Sequence, residues 1–190
     1  MEEARVIRIA DFKLVSIEEK HLEIVLRWRN SNEIRTMMYT DKIISLEEHW
    51  NWFESFRNSN KTIIKILLYL GEPIGLVNFN KINAFDNKCY WGFYIGALDA
   101  PKGAGTILGY LALNYIFETQ SIRKVCSEII GYNTQSIKFH QRMGFAEEGR
   151  LVKHINKGNE FIDVVLMAQF EHQWRHSKNN LKKKLEGAVK

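Results

Sequence analysis

The apolar and polar positions of this chain fall into segments whose period switches between two and about 3.6. Residues 7–14 alternate and predict a strand. Ser16-Ile17-Glu18-Glu19 then sets a hydroxyl three residues before a carboxylate, the form of a capping box. It predicts a helix running toward Asn30 with Leu22, Val25 and Leu26 on its apolar side. A second box, Ser45-Leu46-Glu47-Glu48, opens a helix through about residue 58. Its Trp50, Trp52, Phe53 and Phe56 are too many for one stripe, so two faces are expected to be covered.

Three strand-like runs follow at 62–70, 74–82 and 89–95, turned by Gly71-Glu72-Pro73 and Asp86-Asn87-Lys88. They read as an antiparallel meander. Residues 100–105 form a small-residue loop, and 106–118 carry Ile107, Leu108, Leu111, Tyr115 and Ile116 at helical spacing. A strand is predicted over 124–130 and a helix over 135–143, stopped by Gly144 at its C′ position. The last hairpin runs 145–156 and 160–169 through Lys157-Gly158-Asn159. The order β-α-α-β-β-β-α-β-α-β-β implies an α/β (α+β) fold: one domain, a mixed and mostly antiparallel twisted sheet, helices on both faces.

Composition agrees with a single globular domain: 190 residues, 45% hydrophobic, 26% charged and only two prolines. At this size about 70% of the unfolded surface is buried, so no disulfide or metal staple is required. Cys89 and Cys126 form no C-x-x-C pair and suit a reducing cytoplasm. The six histidines show no H-E-x-x-H spacing, so no metal is expected. The acidic start Met1-Glu2-Glu3-Ala4-Arg5 lacks a following apolar region, and the most apolar stretch, 63–70, is short and contains Lys65. Neither a signal peptide nor a membrane span is expected. The net charge of +5 is the balance of residues 175–190 alone, where Arg175, Lys178, Lys182, Lys183, Lys184 and Lys190 face only Glu186. The expected organisation is a domain over 1–174 and a solvated, flexible basic tail over 175–190, with no general nucleic-acid surface.

Candidate chemistry lies in the second half. Gly103-Ala104-Gly105 sits between a strand and a helix start, where small residues admit a ligand to the backbone and free N–H groups favour an anion such as a pyrophosphate. The chain lacks G-x-x-x-x-G-K-[ST], and no G-x-G-x-x-G follows the first strand, which excludes a P-loop and a dinucleotide fingerprint. About 30 residues on, Asn133 to Phe145 has the form N-x-x-S-x-x-x-H-x-x-x-G-F.

In this order and spacing the two motifs resemble the GNAT superfamily of acetyl-CoA-dependent N-acetyltransferases. The resemblance implies a GNAT-like domain and acetyl-CoA as co-substrate, with Ile95, Lys102, Gly103, Ala104, Gly105, Thr106, Asn133 and Ser136 holding it. It also implies that Asn133 contacts cofactor or water, and that His140, at the family's usual Tyr position, protonates the departing thiolate. The family's Gln or Arg three residues before the first glycine is Ala100 here, with Lys102 as the nearby cation. Trp28-Arg29-Asn30, Ile34-Arg35, Met37-Met38-Tyr39, Lys81-Ile82-Asn83, Tyr90 to Tyr94, Glu148-Gly149-Arg150-Leu151 and Glu160 to Val164 are similar to the PseH branch, the N-acetyltransferases of pseudaminic-acid biosynthesis. That narrower resemblance implies acetylation of the 4-amino group of a UDP-linked 4-amino-4,6-dideoxy sugar destined for flagellin or surface glycans. It points to Arg29, Asn30, His49, Asn80, Lys81 and Tyr94 as acceptor-binding residues. A cytoplasmic enzyme, with a homodimer as its candidate assembly, completes the expectation. The competing enzyme readings are a polyamine or protein N-terminal acetyltransferase. A polyamine site needs clustered carboxylates, and the expected pocket, with Arg29 and Lys81, is basic; strand 89–95 has no carboxylate to serve as a base. Deprotonation through water is therefore expected, as is a strand N–H near Tyr94 or Ile95 for the thioester oxygen. The non-enzyme alternative is a silent acetyl-CoA-binding module.

Overall fold

The computed structural model describes residues 7–187. The acidic first five residues and the last three of the basic tail lie outside the described residues. Seven strands form one sheet: β1 (Phe12–Ser16), β2 (Ile63–Tyr69), β3 (Glu72–Asn83), β4 (Lys88–Ile95), β5 (Lys124–Ile130), β6 (Ala146–Lys157) and β7 (Glu160–Phe170). Their spatial order is β1-β2-β3-β4-β5-β7-β6. The pairs are antiparallel except β4 with β5, so the meander and the last hairpin stand as expected.

Helices cover both faces. On one side, α4 (Ala104–Asn114), α5 (Thr134–Arg142) and α6 (Glu171–Gly187) bury Val77, Phe79, Trp91, Val125 and Met167. On the other, α1 (Leu22–Asn30), the short α2 (Asn32–Arg35) and α3 (Leu46–Arg57) close over Ile64, Ile66 and Leu76. Neighbours on β2 thus serve opposite layers, Ile66 below α1 and Leu67 in the α4 core, which is why that strand is apolar nearly throughout. α4 is buried nearly all round and passes into a π-helical turn over Tyr115–Thr119.

Three expectations change. The first strand begins later, because a 3-10 turn occupies Ile9–Asp11. Ser16 ends β1, and its hydroxyl accepts from Lys65 instead of capping. The helix it was expected to open starts after the Glu18 N–H has donated to His21 Nδ1 at 2.9 Å. The second box is real: Glu48 N–H donates to Ser45 Oγ and Ser45 N–H to Glu48 Oε2, at 3.1 and 3.0 Å.

The third change concerns the tail. Residues expected to be flexible belong to α6, and the boundary drawn at 174 falls within it. Trp174 is fully buried against Tyr110, its indole N–H donates to Asn114 Oδ1 at 3.0 Å, and Leu181 and Leu185 follow on the same side of the helix. Lys178 pairs with Glu118. Deletion of residues 178–187 uncovers two half-buried leucines and that ion pair. The expected loss is about 2–3 kcal/mol, a fall of roughly 5–10 °C in Tm by calorimetry. An unchanged Tm would mean that the last turns of α6 add nothing.

Candidate active site

The site begins where β4 and β5 part. They share only the register Lys88–Lys124, Cys89–Val125 and Tyr90–Cys126. Beyond it, Trp91 to Ile95 and Ser127 to Ile130 form the two walls of a cleft through the sheet. β4 keeps β3 on its other edge, so alternate N–H groups past Tyr90 face the cleft with no strand partner. Such groups are placed to bind a developing oxyanion. The cavity measures about 780 Å³ and is completed by Arg29, His49 and Trp52 above and by Gly105, Asn133, Ser136 and His140 below.

Below, Gly103 takes φ +97° to start α4, and Gly105 lies on the cavity wall. Ala104 and Thr106 spend their N–H groups on the carbonyls of Pro101 and Gly103 at 3.0 and 2.9 Å. Lys102, Gly103, Ala104 and Thr106 lead to the cavity wall without forming part of it. This small-residue turn stands at the N-terminus of an eleven-residue helix, whose dipole favours an anionic group. Opposite, Asn133 caps α5 by accepting the Ser136 N–H at 3.0 Å, and both residues line the cleft with Ile95.

His140 is buried in the wall and receives the Trp91 indole N–H on Nε2 at 3.2 Å, while Nδ1 lies 2.8 Å from the Ser136 carbonyl oxygen. Both ring nitrogens are therefore committed within the protein, at odds with the proton-donor role the resemblance implies.

Above, Arg29 donates through Nη2 to the Thr40 carbonyl at 3.1 Å, and its Nη1 is buried without a hydrogen-bond partner. Burial pulls its pKa down; Tyr94 offsets part of this and neighbouring Arg35 adds to it. The guanidinium is thus a cation short of a counter-charge. Tyr94 stands edge-on to Trp28 with centroids 6.4 Å apart, and burial pushes its phenol up. His49 is buried, its Nε2 is unpartnered, and burial pulls its pKa down.

The other acceptor candidates fall elsewhere. Asn30 exchanges two 2.8 Å hydrogen bonds with the backbone of Ile44 and clamps a loop. Asn80 donates to Asn78 Oδ1 at 3.4 Å, and it is Asn78 that lines the cavity. Lys81 is exposed over the Tyr90 ring, 3.8 Å from Glu128.

Glu128 is the carboxylate that sequence reading missed. It lines the cavity and accepts from the Tyr39 phenol at 2.7 Å. A lone Glu in an apolar strand carries no motif; only the parting of β4 and β5 exposes it. Glu33, Glu48, Arg29 and Lys42 share the walls, so the cavity is of mixed charge where a basic one was expected. Residues 36–44 form a strap across the top. Besides Tyr39–Glu128, Tyr132 donates to the Thr36 carbonyl at 2.6 Å and Lys157 to that of Met38, tying the strap to the far half of the sheet. Among the described residues no cluster of His, Cys, Asp and Glu could hold a metal, and no helix is long and apolar enough to cross a membrane.

Comparison with known proteins agrees with this architecture. The family described as Acetyltransferase (GNAT) domain matches residues 14–166. Acetyltransferase PseH of Campylobacter jejuni is 25% identical over 139 residues, covering 73% of this chain and 84% of that protein. Spermidine N(1)-acetyltransferase of Escherichia coli is 26% identical over 104 residues, 55% of this chain and 56% of that protein. Among solved structures, spermidine N-acetyltransferase from Vibrio cholerae in complex with CoA and spermine superposes with a TM-score of 0.82 at 20% identity, covering 87% of this chain and 99% of that one. The glycine turn, the parted strands and a family match spanning most of the chain make this protein a member of the GNAT acetyltransferase family, an N-acetyltransferase that uses acetyl-CoA.

Proposed function

We propose that the acceptor is an amine on a nucleotide-linked sugar, specifically the 4-amino group of a UDP-4-amino-4,6-dideoxy-N-acetylhexosamine of pseudaminic-acid biosynthesis. One observation carries the reading: the buried, unpartnered Nη1 of Arg29 on the cavity wall. A desolvated guanidinium is suited to a diphosphate and repels a polyamine. Around Arg29, the same cavity offers Tyr94 and Trp52 as apolar surfaces and His49 Nε2 as a further polar group for a nucleotide sugar. The greater share of PseH that aligns, 84% against 56% for the spermidine enzyme, points the same way. The amine attacks the thioester directly in the ternary complex. Glu128, oriented by Tyr39, takes up or orients the acceptor's ammonium proton, and β4 N–H groups meet the oxyanion.

A polyamine acceptor is the second reading, favoured by Glu33, Glu48 and Glu128 in the walls. Glu48 is already held by Lys42 and Ser45, and Glu128 by Tyr39, which leaves little free acidic lining. Thiol release from acetyl-CoA decides between them: turnover is expected with the UDP-4-amino sugar and not with spermidine at equal concentration. The reverse preference would replace the first reading by the second.

A further inference from the structure

His140 stands where the family has a Tyr, and its surroundings are unlike those of an acid. An indole N–H only donates, so the 3.2 Å contact with Trp91 requires a lone pair on Nε2. A carbonyl oxygen only accepts, so the 2.8 Å contact with Ser136 requires the hydrogen on Nδ1. Together they define one neutral tautomer with no nitrogen to spare. Trp91, Phe93, Phe139 and Phe145 wall the ring, with centroids 5.0–5.7 Å away. Ser136 Oγ, 3.4 Å from Nδ1, is the remaining polar neighbour. Among the described residues no charged side chain of β4, α5 or the turn into β6 acts on the ring. Burial pulls its pKa down to about 4, the Ser136 carbonyl offsetting part of this. At neutral pH about one ring in a thousand is then imidazolium. The N–H of a neutral imidazole is a much weaker acid than a thiol.

We propose that His140 is a positioning residue, which fixes the Trp91 indole against the first turn of α5, and that the departing thiolate receives the hydrogen shed by the attacking amine. The balance closes without a side-chain acid. The N–C bond forms and the C–S bond breaks. Of the two hydrogens on a primary amine, one stays in the amide and the other ends on sulfur. Acetyl-CoA and amine thus become amide and CoA thiol. Trp91 of β4 and Ser136 of α5 both line the cleft, and His140 bonds to each, so it fixes the strand and the helix relative to one another beside the channel in which the thioester must lie. The proposal rests on acetyl transfer alone and is independent of which amine is the acceptor.

Three substitutions separate positioning from acid catalysis. In His140→Gln, Oε1 can still accept from Trp91 but no acid is supplied; His140→Tyr supplies an acid; His140→Leu supplies neither. The expected result is a drop in kcat of about tenfold for Leu and a recovery to within about threefold for Gln, against the 10²–10⁴-fold typical of losing a general acid. The limbs of the kcat–pH profile should be the same in Gln and wild type. Gln as poor as Leu, with Tyr restoring the rate and adding an alkaline limb, would overturn the proposal. If the Leu variant does not fold, the wild-type protein decides. Its ring ¹⁵N shifts should report an Nδ1–H tautomer that does not titrate between about pH 5.5 and 9 with CoA bound. A ring that titrates in that range, or one found as Nε2–H, would overturn it equally.

Discussion

Arg29→Ala is expected to raise KM for the UDP-amino sugar by roughly 10- to 150-fold and to lower kcat far less. The guanidinium is in the cavity wall with Nη1 unpartnered, so under the nucleotide-sugar proposal its removal strips a charge-assisted contact of about 1.5–3 kcal/mol from the diphosphate. That group is remote from the reacting amine, and most of its binding energy is shared by ground and transition states. KM for acetyl-CoA should hardly move, because the α4 turn lies at the other end of the cleft. Arg29→Lys should rescue only part, since an ammonium keeps the charge and loses the fork. Arg29 also holds Thr40, so the melting temperature is the control. Equal weakening of both substrates with a lowered Tm would make Arg29 a support for the strap and remove the observation that carries the nucleotide-sugar reading.

Gly105→Val is the complementary case, expected to weaken acetyl-CoA binding by about 10- to 100-fold with the fold intact. A Cβ at this position would meet only Ile95 Cγ1, at 3.9 Å, an ordinary contact. The two methyl groups beyond it have no room reserved and project toward the wall that the phosphates must approach. Position 105 lies in the first turn of α4 with no left-handed backbone, and Val is a better helix former than Gly. The loss should therefore appear in calorimetric Kd for acetyl-CoA and leave Tm and acceptor binding in place. An unchanged Kd would remove the glycine turn from the site.

What the chain revealed in advance follows the range of the interactions involved. The Ser45–Glu48 box, the meander and the stop at Gly144, with φ +94°, are decided within a few residues and were legible. Ser16 had the same local pattern as Ser45, yet strand pairing with β2 claimed it, a tertiary override that no window of four residues contains. α6 was misjudged because its apolar residues are sparse: Trp174, Leu181 and Leu185 lie seven and four apart among lysines and asparagines, enough for one stripe against α4 and too few for a clear period. The site divides in the same way. The glycine turn is local and was legible as the start of α4; that Asn133 caps α5 was not, the residue having been read only as a contact to cofactor or water. The commitment of His140 depends on Trp91, 49 residues away, and the importance of Glu128 on Tyr39, 89 residues away.

The strap over residues 36–44 decides how the acceptor gets in. Its bonds to the far half of the sheet join residues 89, 96 and 119 positions apart, and each is an exposed or half-buried polar contact with little apolar burial behind it. The neutral Tyr132 bond contributes about 0.5–1.5 kcal/mol and the two that involve Glu128 and Lys157 about 1.5–3 kcal/mol each before solvent exposure weakens them, a small fraction of what holds α4 and the sheet together. Regions with few buried apolar contacts open locally, far below the free energy of global unfolding. The strap can therefore lift at its outer edge while the Asn30–Ile44 pair keeps its inner end hinged. Acceptor entry and product exit are then expected on the strap side of the cleft, away from the glycine turn of α4.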